Sequence, residues 1–135
     1  LNLILLLALL GFSPTPAEAA IISSTTVEYS STTAPLVLEA FAYRYGIDAN
    51  EFRKVAECES HLNEKAWNKL DPNTGSKGVF QFQDATFAHY SKEVGIVNPD
   101  VFNPWHNIET AAYMFSKGEQ KQWTCYRKLF GGKGV

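Results

Sequence analysis

The chain has 135 residues, 45% of them hydrophobic, and a formal net charge of −2. That length bounds it to one domain, and the near-neutral charge excludes the basic field that nucleic acid or an anionic membrane surface would need. No internal repeat, Gly-rich phosphate loop or CxxC pair is present, and His61, His89 and His106 lack metal-ligand spacing. No metal or cofactor is expected, and these histidines read as surface or boundary residues.

Leu1 to Leu10 is aliphatic except for Asn2; Gly11 to Pro16 then breaks any helix, and Ala17-Glu18-Ala19 has the small-x-small form of a signal-peptidase site. Residues 1–19 are read as a secretory signal whose start lies upstream of Leu1. The apolar run is too short for a bilayer span, which takes about 20 residues, and no Cys near the cleavage site suggests a lipid anchor. The expectation is an extracytoplasmic protein, secreted or held in the cell envelope, with no stable membrane insertion once the signal is gone. Residues 20–34 are rich in Ser and Thr and read as a linker, or as an edge strand built on Ile21, Ile22 and Val27. The globular part is residues 35–130, and residues 131–135 read as a flexible tail.

Within the globular part, Pro35 to Tyr45 predicts a first helix, with Pro at its first position and Gly46 at its end. Asp48, with Glu51 three residues on, predicts a capped second helix from Ala49 to about Ser60. Asp71-Pro72-Asn73-Thr74-Gly75 is turn chemistry. Gly78-Val79-Phe80-Gln81-Phe82 is a short apolar run, either a strand or the loop before a helix. Asp84 is expected to cap a third helix, Ala85 to Val94. Asn103 and Pro104 start a fourth, which runs to Lys117 with Ile108, Ala111, Ala112 and Phe115 as its core stripe. A last short helix carries Trp123 and Cys125. The fold class is mainly α, with a short irregular or β-like insert.

A domain this small is short of core and benefits from a staple. Cys58 and Cys125 are the two cysteines, and an even pair in an exported protein reads as one disulfide; the alternative is two buried thiols.

On the second helix, at about 100° per residue, Phe52, Val55 and Ala56 share a face. Glu59 follows on that same face, where a Leu would be expected, while Arg53, Lys54 and Glu57 lie opposite. Desolvation would raise the pKa of a carboxyl there, and a carboxyl that stays protonated toward neutral pH suits a general acid. Periodicity leaves a second reading open, in which the helix frays near Cys58 to Ser60 and Glu59 points to solvent.

Cys58-Glu59-Ser60, Asn63 and Ala66, Gly78 to Phe82, and Asn107-Ile108 leading to Ala111-Ala112-Tyr113 together resemble the motif series of soluble lytic transglycosylases, of the lysozyme-like superfamily. The Cys before Glu59, Asn73-Thr74-Gly75, Gln81-Phe82 and Trp123-Thr124-Cys125 also resemble resuscitation-promoting factors. The resemblance implies a lysozyme-like fold and a peptidoglycan glycan strand as partner, cut at the β-1,4 bond between MurNAc and GlcNAc. It implies Glu59 as the single catalytic acid/base, and Ser60, Gln81, Phe82 and Tyr113 as substrate-binding residues. Three of these have another reading: Ser60 as a helix-end cap, Gln81 as a strand-edge amide facing water, Tyr113 as a boundary aromatic. Phe80, Phe82, Trp67 and Trp105 could stack on sugars, but in a small domain such aromatics serve equally as core.

The chain departs from the family pattern at Asn68, at Phe80, and in an apparent insert from Lys69 to Lys77. No second carboxylate is placed by the sequence, since Asp84 reads as a cap, Glu109 flanks a core stripe and Asp71 sits in a turn. The expected function is therefore a lytic transglycosylase, with two alternatives: a hydrolytic muramidase using the same acid, and a non-catalytic wall-binding module. A monomer is expected.

Overall fold

The computed structural model describes residues 33–131. The signal, most of the linker and the tail expected from the sequence lie outside them. Helix α1 spans Thr33–Tyr45, α2 Ala49–Ser60, α3 Asp84–Val94, α4 Pro104–Ser116 and α5 Thr124–Phe130. A two-stranded antiparallel hairpin, β1 Trp67–Asn68 with β2 Ser76–Lys77, lies between α2 and α3, and a 3-10 turn Glu119–Gln122 precedes α5. The expectation of a mainly helical domain with a small β insert holds.

Helix α1 begins two residues before Pro35. Pro35 lies in the first turn, where its missing N–H costs no helical bond, and Ala34 is buried in the core. Helix α2 is capped by Asp48, whose carboxylate accepts from the Glu51 amide at 2.8 Å. It stops after Ser60 because His61 and Leu62 both adopt left-handed backbone, φ 54° and 62°.

Asp84 does not cap α3. Gln83 occupies the cap position without a side-chain bond, and the Asp84 carboxylate instead accepts from Lys77 Nζ at 2.8 Å and Thr74 Oγ1 at 2.6 Å. A charged partner outcompetes the neutral amides of its own helix. The Lys77 bond, then the Thr74 bond, hold this carboxyl below the usual aspartate range. Asn103 does cap α4, accepting from the Trp105 and His106 amides, with Pro104 next. Trp123 sits at the cap of α5 rather than within it.

Helix α4 is the central element, packed against α1 and α3, while α2 packs on α1 and α5. Its expected stripe, Ile108, Ala111, Ala112 and Phe115, is buried. Phe52 of α2 stacks on Phe80 at 4.6 Å between ring centres and meets Phe115 edge-on at 4.9 Å. Trp123 closes this aromatic cluster against Phe80, Phe82 and Phe115. Burying a ring the size of Phe52 contributes about 2–3 kcal/mol.

Segment 78–82 is a tight turn, bridged only through Lys77 and Phe82. Its backbone groups are met from three directions. Asn107, fully buried on α4, accepts from the Phe80 amide at 2.9 Å and donates to the Val101 carbonyl at 2.8 Å. Trp123 Nε1 donates to the Phe80 carbonyl at 2.8 Å, and Ser60 Oγ to the Val79 carbonyl at 2.7 Å. Gly78 has φ 73°, and a Cβ there would collide with the Asn107 amide and the Val101 carbonyl.

Candidate active site

Glu59 is the penultimate residue of α2. The three residues that precede it on its face, Phe52, Val55 and Ala56, are fully buried, and Glu59 is partly so. The helix stays intact through Ser60, so the frayed alternative does not occur. The side chain opens into a cleft of about 410 Å³, a size suited to a sugar-sized ligand. Helices α2 to α5 and the hairpin loop all contribute to its walls, through Asp71, Gln81, Phe82, Thr86, Met114 and Trp123 among others.

Burial raises the Glu59 pKa above the ordinary glutamate value, and the negative charge of Asp71 adds to the rise. The Cys125 amide, which donates to Glu59 Oε1 at 3.2 Å, opposes it, as do Lys128 and Arg127 more weakly. Desolvation dominates because it penalises only the charged form. The result is a carboxyl that keeps its proton to higher pH and remains open to a ligand.

A disulfide joins Cys58 to Cys125, with Cα atoms 5.9 Å apart. It links the residue before Glu59 to the residue whose amide holds Glu59, so one crosslink sets the spacing of the acid and its donor. Arg127 reinforces that end of the cleft by donating to the Lys121 and Gln122 carbonyls and to Thr124 Oγ1.

Gln81 lines the cleft. Its amide nitrogen donates to the Gly78 carbonyl at 2.9 Å and to the Ala66 carbonyl at 3.3 Å. Both partners are acceptors, which fixes the amide orientation and leaves Oε1 for a ligand. Its backbone is left-handed, φ 50°, a strained choice for a non-glycine residue of the kind that gathers at functional sites. Phe82 is buried against Phe87 and Trp123 yet forms part of the cleft wall.

Ser60 and Tyr113 fall elsewhere. Ser60 is buried and its hydroxyl is used on the Val79 carbonyl, so it fastens the 78–82 turn to the end of α2. Tyr113 is not among the cleft residues, although its neighbour Met114 is. Consecutive helical positions diverge by about 100°, and Tyr113 turns instead toward Tyr45 on α1, with Glu93 beside its hydroxyl. Of the other aromatics, Phe80 is wholly core, while Trp67 and Trp105 are about half exposed and lie outside the cleft.

Asp71 is the residue that sequence reasoning missed. It lies in the apparent insert, reads locally as a turn residue, and yet shares the cleft with Glu59. The remaining acidic candidates are engaged elsewhere: Asp84 with Lys77, and Glu109 with Arg44 and Tyr45. Among the described residues no cluster of His, Cys, Asp and Glu could hold a metal ion, and no helix is long and apolar enough to cross a membrane.

A family model described as the transglycosylase SLT domain matches residues 37–125, from within α1 to the second disulfide cysteine. No curated protein and no solved structure matches.

Proposed function

From the premise that the chain belongs to the transglycosylase SLT domain family, we propose that it is a peptidoglycan lytic transglycosylase whose single acid/base is Glu59. The observation that carries this reading is the position of Glu59: at the end of an apolar helix face, in a sugar-sized cleft, with burial favouring its protonated form.

The chemistry follows from that protonation state. Glu59 donates its proton to the glycosidic oxygen between MurNAc and GlcNAc, and the C1–O bond breaks with its electron pair going to the departing oxygen. The carboxylate so formed then removes the proton from the MurNAc C6 hydroxyl as that oxygen bonds to C1, giving a 1,6-anhydro product and restoring the acid. The Cys125 amide stabilises the carboxylate in the interval between the two transfers. Gln81 Oε1 is placed to accept from a sugar hydroxyl or N–H, and Phe82 forms part of the wall against which a ring packs.

The substrate class and the disulfide both support an extracytoplasmic location, where peptidoglycan lies and disulfides persist. The test is to incubate the purified protein and its Glu59→Gln variant with peptidoglycan sacculi and read soluble muropeptides by mass spectrometry. Anhydro-muropeptides from wild type only are expected. Reducing-end products, heavier by one water, would instead make it a muramidase using the same acid. No release by either protein, while a known lytic enzyme digests the same sacculi, would overturn the enzymatic reading.

A further inference from the structure

Asp71 stands on the loop joining β1 to β2. Strand pairing of Asn68 with Ser76 sets the base of the loop. Above it, the Asp71 amide donates to the Asn68 carbonyl, the Gly75 amide to the Pro72 carbonyl, and Trp67 Nε1 to the Thr74 carbonyl. So held, the loop points Leu70 outward, 96% exposed, while Asp71 beside it turns into the cleft and is only partly exposed. Solvation alone favours the reverse arrangement, with the aliphatic residue covered and the carboxylate in water. Of the two lysines on this hairpin, Lys77 is paired with Asp84 and Lys69 lies over the Trp67 ring, 4.6 Å from its centre. No ion pair among the described residues engages the Asp71 carboxylate.

We propose that Asp71 is the second carboxylate of this site, set across the cleft from Glu59 to face the positive charge that develops on the MurNAc ring as its glycosidic bond breaks. The proposal rests on the reading of Glu59 as the acid and deepens it. Departure of the leaving oxygen leaves a cation shared between C1 and the ring oxygen. A fixed negative group in a cleft cleared of water by the glycan lowers the energy of that cation. The proton of Glu59 goes to the departing oxygen, the electron pair of the broken bond goes with it, and the C6 oxygen then closes on C1 and returns its proton to Glu59. Asp71 forms no bond and ends the cycle unchanged. It has a second effect through Glu59: its charge opposes ionisation of the acid, against Lys128 and Arg127 of α5 and the Cys125 amide, which favour it.

The test compares wild type, Asp71→Asn, Asp71→Glu and Glu59→Gln on sacculi, with initial rates of muropeptide release measured across pH and folding checked by thermal unfolding. Asp71→Asn is expected to slow release by about 100- to 1,000-fold, on the scale of removing one preorganised charge-stabilising group, with Asp71→Glu losing less. The alkaline limb of the pH–rate profile should move to lower pH in Asp71→Asn, because Glu59 then ionises more readily. Carboxyl-carbon NMR of Glu59 in both proteins reads the same shift without relying on turnover. Wild-type release that Glu59→Gln abolishes and Asp71→Asn leaves untouched would sink this proposal alone. No release from wild type would sink the reading beneath it. A Glu59 titration unmoved by Asp71→Asn would show that the two carboxyls do not face each other, and would also overturn it.

Discussion

Removing the Cys58–Cys125 crosslink probes the stability of the domain and the geometry of its site together. The bond spans 67 residues of sequence. In the chain-entropy treatment a loop of that length removes about 4 kcal/mol of unfolded-state freedom. For a domain of this size each kcal/mol moves the melting temperature by about 4–8 °C, so Cys58→Ala/Cys125→Ala should melt about 15–30 °C lower than wild type. Cys58 is exposed, so a reducing agent should reproduce most of the loss in wild type and none of it in the variant. The assay is thermal unfolding by circular dichroism, with and without reductant. A loss under about 1 kcal/mol would refute the reasoning, because helices α2 and α5 would then be held together by packing alone, with the unfolded chain already compact.

Three further outcomes are expected. Glu59 has a raised pKa in the folded protein, so the stability tied to its protonated form is fully present below the unfolded glutamate value and is lost as pH rises through the folded value. Glu59→Gln carries no such loss, and its melting temperature relative to wild type should rise from acid to neutral pH; a gap that stays constant with pH would contradict the burial argument. Asn107→Leu strands the Phe80 amide and the Val101 carbonyl in the interior and should cost about 1–3 kcal/mol for each group left unpaired, measured by urea unfolding. His61→Gly relieves a left-handed residue at the end of α2 and should leave stability unchanged or raise it by about 1 kcal/mol; clear destabilisation would mean that the imidazole makes a contact that matters.

The helices are legible in the sequence because their signals are local. Asp48 and Asn103 meet the first free amides of their own helices. The α4 stripe repeats at the spacing that puts it on one face. Glu59 interrupting the apolar face of α2 is likewise a fact of spacing, and the face is buried as periodicity requires. Asp84 has the local look of another cap, but a lysine seven residues back, brought near by the hairpin, takes its carboxylate.

The sequence by itself determined the helical architecture and the oddness of Glu59, since each rests on residue type and near-neighbour spacing; it left the two cysteines as either a disulfide or buried thiols, and the folded chain joins them. Tertiary structure alone decided which polar residues share the cleft. It used the Ser60 hydroxyl to fasten the turn at 78–82, and it turned Tyr113 toward α1 while Met114 faced the cleft. It also brought Asp71 into the cleft with Glu59 on a folded loop. The direction of a side chain on a turn, and the charge it meets across a cleft, depend on contacts between segments far apart in the chain, and no local pattern encodes them.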